Sequence, residues 1–221
     1  MRRLFNTLGT LVLLAGVLTA GSVALMSGPA DAAACGTAVP AGSSCTMTGT
    51  VSLSAGALTL TSPASLSWTG TLNGLDQNIV DTTAGDQQYT VDDATGSGAG
   101  WHVTTSATTF TNGAHTFSNT GTFVTNGSVT SITATNAPTA TCTATCTLPT
   151  NTTVYPVAIT TATSSPTAAV IYDTAAGTGM GQMVIGGSTA ANPVGWWVNV
   201  PSSASAGSYV STITMAIVSG P

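Results

Sequence analysis

Four tryptophans, Trp68, Trp101, Trp196 and Trp197, are the side chains of this chain best suited to recognising a ligand. An indole offers a broad apolar face with a polar edge, so it can stack on a sugar ring or a peptide. Neighbouring residues of a strand point to opposite faces, so one member of the pair Trp196 and Trp197 is expected outside the core or beneath a loop. Trp101, Trp196 and Trp197 are therefore candidate ligand contacts. For Trp101, a place in the core is the open alternative.

The acidic residues are all aspartates, and they bear on metal binding. Asp92, Asp93 and the loop that follows could supply oxygen ligands to Ca²⁺. No Asp-x-Asp-x-Asp-Gly spacing occurs, and aspartates in turns commonly accept hydrogen bonds from nearby backbone N–H groups. We therefore predict that these aspartates cap turns, with no metal ion or other cofactor.

Residues for catalysis are sparse. His102 and His115 are the only histidines, and no serine lies in a Gly-x-Ser-x-Gly elbow. Glycoside hydrolysis requires a carboxylate pair, for which only aspartates are present because the chain has no glutamate. The sequence predicts that this protein is not an enzyme.

The distribution of positive charge excludes several classes of partner. No lysine or arginine follows Arg3. Binding of nucleic acid or phosphate depends on such cations, so neither is an expected partner. A surface of this kind has to work through hydroxyls, backbone groups and a few aromatic side chains.

The N-terminus has the features of an export signal. Arg2 and Arg3 form a positive region, residues 8–26 are apolar, and small residues at 30–34 offer a cleavage site. We predict a secretory signal peptide over residues 1–34. An uncleaved membrane anchor is the alternative, because the apolar stretch is almost long enough to span a bilayer.

Four cysteines in an exported chain predict disulfides. We expect two local pairs, Cys35 with Cys45 and Cys142 with Cys146, the second of which needs a turn at residues 143–145 to bring its sulfurs within reach. Lipidation of Cys35 after cleavage is one alternative. A zinc site is another, although the chain lacks Cys-x-x-Cys spacing.

The elements that would position these residues are β-strands. Threonine, serine, valine and glycine are abundant, and turn pairs such as Asn112-Gly113 and Asn126-Gly127 separate short apolar runs. Residues 65–72 alternate, which predicts a strand with Leu66, Trp68 and Leu72 on its buried face. Residues 51–61 are expected to form one strand or a short hairpin around residues 54–56.

These patterns predict an all-β fold, an antiparallel β-sandwich or a barrel-like domain. An N-terminal segment, residues 35–50, carries the first cysteine pair. The β-domain follows over residues 51–221, with a Thr/Ala/Pro-rich insertion around residues 134–153.

Four stretches, residues 62–68, 76–91, 96–103 and 201–214, together resemble the WxL domain of bacterial cell-surface proteins. That family is exported, β-rich and associated non-covalently with the cell wall through peptidoglycan. Its two Trp-x-Leu motifs correspond here to Trp101-His102-Val103 and to Met215-Ala216-Ile217, so the second tryptophan is lost. The resemblance implies that Val103 belongs to the ligand-binding set with Trp101.

The sequence thus predicts an exported, extracellular protein that associates with the cell wall as a binding or display module. Its expected partner is peptidoglycan or another cell-wall polymer. The alternative is a self-assembling subunit of a surface layer or fibre, whose partners are other surface proteins or further copies of the chain. This alternative is favoured by neutral, threonine-rich strands whose edges carry no lysine or arginine against edge-to-edge pairing.

Overall fold

The computed structural model describes residues 33–221. The chain divides into two compact units, Met1–Ser52 and Leu53–Pro221. Of the predicted export signal, residues 1–32 lie outside the described residues. Across the part of the chain that is described, no helix is long and apolar enough to cross a membrane.

The described part of the first unit is small. Strand β1 (Ala33–Ala34) pairs in parallel with strand β2 (Cys45–Thr46). A disulfide joins Cys35 to Cys45, as the sequence predicts. The bond closes the loop between the two strands.

The second unit contains eleven further strands and one short 3-10 helix among its described residues. In chain order they are β3 (Leu58–Thr61), β4 (Gln77–Val80), the 3-10 helix (Ala84–Gln87), β5 (Gln88–Asp93), β6 (Trp101–Ala107), β7 (Phe123–Asn126), β8 (Ala140–Cys142), β9 (Val157–Ile159), β10 (Ala169–Thr174), β11 (Gly181–Gly186), β12 (Gly195–Val200) and β13 (Ile213–Ser219).

These strands form three antiparallel sheets. Their strand orders are β10-β6-β13, β3-β5-β11-β8 and β4-β12-β7-β9. The predicted all-β, sandwich-like fold is confirmed. Strand β13 is an edge strand, bonded on one side to β6 and lying close to β3 without a ladder to it.

The core lies where the inner faces of the sheets meet. In β6 the burial alternates strictly along Trp101, Val103, Thr105 and Ala107, which is the two-residue period of a strand with one face on the core. The largest fully buried side chains include those of Trp101, Trp196, Tyr89, Phe123, Ile159, Ile171 and Met183. Burial of these apolar and aromatic groups is the main favourable term for folding.

Residues 62–76 differ from the prediction because they contain no strand. Leu66 and Trp68 do pack against the core, but Leu72 is 43% exposed. The alternating pattern describes which side chains face inward over residues 66–68. It does not guarantee a neighbouring strand for the backbone, and here none is bonded to these residues.

The strand predicted over residues 51–61 is shorter than expected and no hairpin turn forms at residues 54–56. Only Leu58–Thr61 is strand, and the backbone N–H of Gly56 and the C=O of Ala57 both bond to Ala94 of the neighbouring chain segment. The chain is therefore extended at Gly56.

The region around residues 134–153 is built into a sheet. Strand β8 pairs with β11, and its Cys142 forms the predicted disulfide with Cys146 across a bend at residues 143–145. No free cysteine occurs in the described part of the chain.

Candidate functional site

Trp101 and Val103, the predicted contacts on β6, are both 0% exposed. The indole N–H of Trp101 donates to the carbonyl of Gly179 at 2.8 Å, and its ring stacks on Tyr172 with centroids 6.1 Å apart. The glycine-rich stretch before it serves this packing: Gly100 has φ +77°, and a Cβ there would lie 2.5 Å from the Thr174 carbonyl. This corrects the prediction, because both residues belong to the core and neither presents a face to a ligand.

Trp196 and Trp197 are also buried, on opposite faces of β12. The Trp196 indole donates to the carbonyl of Asp86, and the Trp197 indole donates to the carbonyl of Ser128 at 2.9 Å. Trp197 thus lies beneath a loop, which is one of the two positions predicted for a member of this pair. Neither indole is open to solvent, so their predicted role as ligand contacts is corrected in the same way.

Two aspartates, Asp81 and Asp93, cap local turns. Asp81 accepts hydrogen bonds from the backbone N–H groups of Ser67 and Thr83, and Asp93 accepts from Thr95. Asp76 accepts from the N–H of Ser202 at 2.7 Å. Within residues 33–221, no three His, Cys, Asp or Glu side chains are grouped so that they could hold a metal ion.

Asp173 is the most heavily bonded of the carboxylates. It accepts the backbone N–H groups of Thr152 and Thr153 and the hydroxyls of both residues. Burial acts to raise the pKa of Asp173, but these four hydrogen bonds outweigh burial and lower it. Burial, with a smaller contribution from the Asp173 charge, raises the pKa of Tyr172 to about 12. This cluster fastens the loop before β9 to β10.

The second unit contains a cleft of about 1030 Å³. One side is formed by residues 62–72, and the other by residues 204–211 together with the start of β13. Its floor is apolar and aromatic, and comprises Trp68, Ile79, Phe110, Phe117, Val198, Val200, Ile213 and Met215. Such a combination of apolar floor and polar rim is typical of ligand sites.

The first side of the cleft is an extended segment with few internal bonds. Over residues 62–72, no backbone–backbone hydrogen bond is formed with the rest of the described chain. Two contacts hold the segment: the N–H of Ser67 donates to Asp81, and the Trp68 indole donates to the carbonyl of Trp196 at 2.9 Å. The Trp68 ring packs edge-on against Phe110 and Phe123. Most backbone polar groups of this side are left free.

The second side includes the free edge of β13. Thr108 N–H donates to the Thr212 carbonyl and Gly220 N–H donates to the Gly100 carbonyl, and the register between these bonds has no shift. Bonded and non-bonded pairs alternate in an antiparallel ladder, so the odd-numbered residues of β13 direct N–H and C=O away from β6. These residues are Ile213, Met215, Ile217 and Ser219. Within the described chain, no backbone group bonds to that edge.

Tyr209 braces the loop on this side. Its ring stacks on Phe117 with centroids 4.0 Å apart, and its hydroxyl donates to the carbonyl of Ser205. The loop is thus held against the aromatic floor. Its other end is held by the bond from Ser202 to Asp76.

The lining of the cleft is uncharged. It holds no Asp, Glu, Lys, Arg or His side chain. The lining therefore has no carboxylate or imidazole group and no cationic counter-ion for a phosphate. What it offers is apolar contact area, serine and threonine hydroxyls, and two rows of free backbone groups.

None of the four predicted contact residues lines this cleft. The cleft is lined instead by Trp68, which the sequence analysis placed on a buried strand face, and by Tyr209, which it did not single out. No sequence motif indicated the cleft, because the cleft arises where residues 62–72 lack a bonded neighbouring strand.

Comparison of the chain with models of protein families, with curated proteins and with solved structures finds no match in any of the three. The resemblance to the WxL domain therefore stays a prediction. Two of the four stretches that carry it, residues 62–68 and 201–214, contribute to opposite sides of the cleft.

Proposed function

We propose that this chain is an exported structural protein of a cell surface, which builds a layer or fibre by receiving an extended segment of polypeptide in its cleft. The observation that carries the proposal is the pair of free backbone edges, residues 62–72 and β13, on either side of an apolar floor. A strand that enters the cleft can bond to backbone groups and place alternate side chains on the floor.

The lack of charge supports an assembling surface. Edge strands of monomeric proteins commonly carry lysine or other charges that oppose edge-to-edge pairing. Here the exposed side chains of β13 include those of Thr214, Ala216 and Ser219, and no lysine or arginine occurs after Arg3. The two disulfides fit an oxidising compartment outside the cell.

Assembly is tested by sedimentation velocity and electron microscopy of the purified exported chain over a wide concentration range. We expect species larger than the monomer to grow with concentration. A substitution in the floor, Met215→Asp, should abolish them, whereas Thr214→Asp, the neighbour on the exposed face of β13, leaves the floor intact and serves as its control. A strictly monomeric wild-type chain at high concentration would refute the proposal.

Association with peptidoglycan is the second candidate function. It is favoured by the position of residues 62–68 and 201–214, which carry the WxL resemblance and lie on both sides of the cleft. Trp68 and Tyr209 replace the buried Trp101 and Trp197 as the aromatic groups near a ligand. The wall polymer would bind through hydroxyls and aromatic contacts, without ionic attraction.

Retention on isolated peptidoglycan tests this second function. The expected result is retention of wild type above an uncharged β-domain of similar size, lost in Met215→Asp and kept in Thr214→Asp. Equal retention of wild type and the unrelated β-domain would exclude it.

A further inference from the structure

A segment just before β3 has the pattern of a strand without being part of a sheet. From position 47 to position 55 the residues at odd positions are apolar or glycine and those at even positions are Ser or Thr. This strict two-residue period is that of a strand with one buried face. Residues 47–55 are nevertheless outside any strand.

The apolar side chains of this segment are unusually open to solvent. Met47 is 82% exposed, Val51 is 81% exposed and Leu53 is 90% exposed. Single apolar residues on a surface are common, but Met47, Val51 and Leu53 would lie together on one side-chain face of a strand. The segment therefore has a face to bury.

We infer that residues 47–55 of one copy enter the cleft of a second copy and pair with the free edge of its β13. This inference rests on the proposed function and names the occupant of the same site. Met47, Val51 and Leu53 would pack on the aromatic floor, and the serines and threonines between them would face outward.

The segment is long enough to follow the open part of the edge. Nine residues in a strand span about 30 Å at about 3.3 Å per residue, whereas β13 lines the cleft only at Ile213 and Met215. Both partners are uncharged, so desolvation removes no ionic group from water. The N–H and C=O groups of Ile213 and Met215, the two residues of β13 that line the cleft, would gain partners.

A return of the segment onto β3 of its own chain is disfavoured by the local backbone. Gly56 and Ala57 bond to Ala94, so the chain is already extended there. Ser54 and Ala55 alone would have to reverse it, and two-residue hairpin turns favour Asn-Gly or Gly-containing pairs with positive φ. An occupant from a second copy meets no such restriction.

The test places negative charge on one or the other face of the segment. The substituted side chains are exposed, so the variants should still fold. Val51→Asp with Leu53→Asp places carboxylates on the apolar face, and Thr50→Asp with Ser52→Asp places the same number on the polar face. We expect the first pair to weaken assembly by about 100-fold or more, because two unpaired charges would be buried, and the second pair to retain it.

Contact is tested directly by mixing two variants that each add one free cysteine to the two native disulfides, Leu53→Cys and Met215→Cys, and looking for a disulfide-linked pair of chains. Thr50→Cys is the control for Leu53→Cys and should not link. Intramolecular linkage in the Leu53→Cys, Met215→Cys double variant would show the segment in its own cleft and would overturn the inference.

The outcomes separate the inference from the function on which it rests. If wild type assembles and the Val51→Asp, Leu53→Asp variant assembles equally well, the inference is wrong while self-assembly stands. If wild type stays monomeric and binds peptidoglycan in the cleft, both self-assembly and the inference are wrong.

Discussion

All four tryptophans use the indole N–H to bind a backbone carbonyl from a distant part of the chain. The acceptors are Trp196 for Trp68, Gly179 for Trp101, Asp86 for Trp196 and Ser128 for Trp197. A buried indole that lacked such an acceptor would destabilise the fold. These side chains therefore fasten loops to strands, in a chain that has few other large side chains to do so.

Because Trp101 is part of the core, its replacement is predicted to lower the stability of the fold. Trp101→Ala should lower the free energy of unfolding by about 3–5 kcal/mol, because a fully buried aromatic ring leaves a cavity. Urea unfolding followed by circular dichroism measures this. Leu72→Ala, at an exposed position, is the control and should change little. A Trp101→Ala chain as stable as wild type that no longer assembles or binds wall polymer would contradict the core assignment.

Asp173 predicts how stability depends on pH. Its pKa in the folded chain is lower than the ordinary 3.8, so the unfolded chain binds the proton more tightly. The stabilisation of the folded chain by Asp173 is therefore fully present above about pH 3.8, and it is lost as the pH falls through the pKa of Asp173 in the folded chain. Asp173→Asn should have a lower Tm than wild type at neutral pH, with a difference that shrinks in acid.

The control for this prediction is Asp92→Asn, which removes a charge of the same sign on β5. Thermal unfolding at a series of pH values measures both variants. A Tm difference for Asp173→Asn that is constant from neutral to acid pH would show that the charge of Asp173 contributes nothing.

At the scale of elements, residues 62–72 are the least restrained part of the cleft. Because their backbone N–H groups lack protein acceptors apart from that of Ser67, we expect fast hydrogen exchange along this segment in the monomer. Amides of the central strand β6 should exchange slowly. Mass spectrometry of exchange, before and after assembly, measures both, and assembly should slow the segment. Slow exchange of residues 62–72 in the monomer would contradict the open edge.

The all-β class was predictable from the sequence, and the cleft was not. The abundance of β-branched residues and the turn pairs Asn112-Gly113 and Asn126-Gly127 are local features that indicate short strands. Residues 65–72 show a strand-like alternation but lack a bonded neighbour. Which strands lie side by side depends on the whole topology, so the free edges on both sides of the cleft leave no local trace.

The aromatic residues that line the cleft were not predicted, for a related reason. An indole suits a sugar and a core equally well, and only the packing of distant segments decides between them. Trp68 has the same residue type as Trp101, yet it alone of the four lines the cleft. The disulfide between Cys142 and Cys146 was predictable because the two cysteines are only four positions apart, so a single local turn brings them together.

At the scale of the whole molecule, the lack of lysine and arginine after Arg3 determines how association responds to salt. The six acidic residues of the described chain are aspartates, none of them lines the cleft, and residues 47–55 contain none. Association through the cleft then gains nothing from ionic attraction. Beyond Arg3 each copy carries aspartates and no lysine or arginine, so copies repel one another at low salt. Association should therefore strengthen, and not weaken, between about 0.01 M and about 1 M sodium chloride, as the screening length falls from about 30 Å to about 3 Å.

Sedimentation velocity across this salt range measures the effect. Wild type and a Thr50→Lys variant should be compared, because the variant adds one cation to the outward face of residues 47–55 and leaves the apolar face unchanged. Both should assemble at high salt, and the variant should assemble better than wild type at low salt, because its added lysine reduces the repulsion between negatively charged copies. Dissociation of wild type by high salt would mean that charged groups outside the cleft hold the copies together. The apolar floor and the free edge of β13 would then not be the surface through which this chain associates.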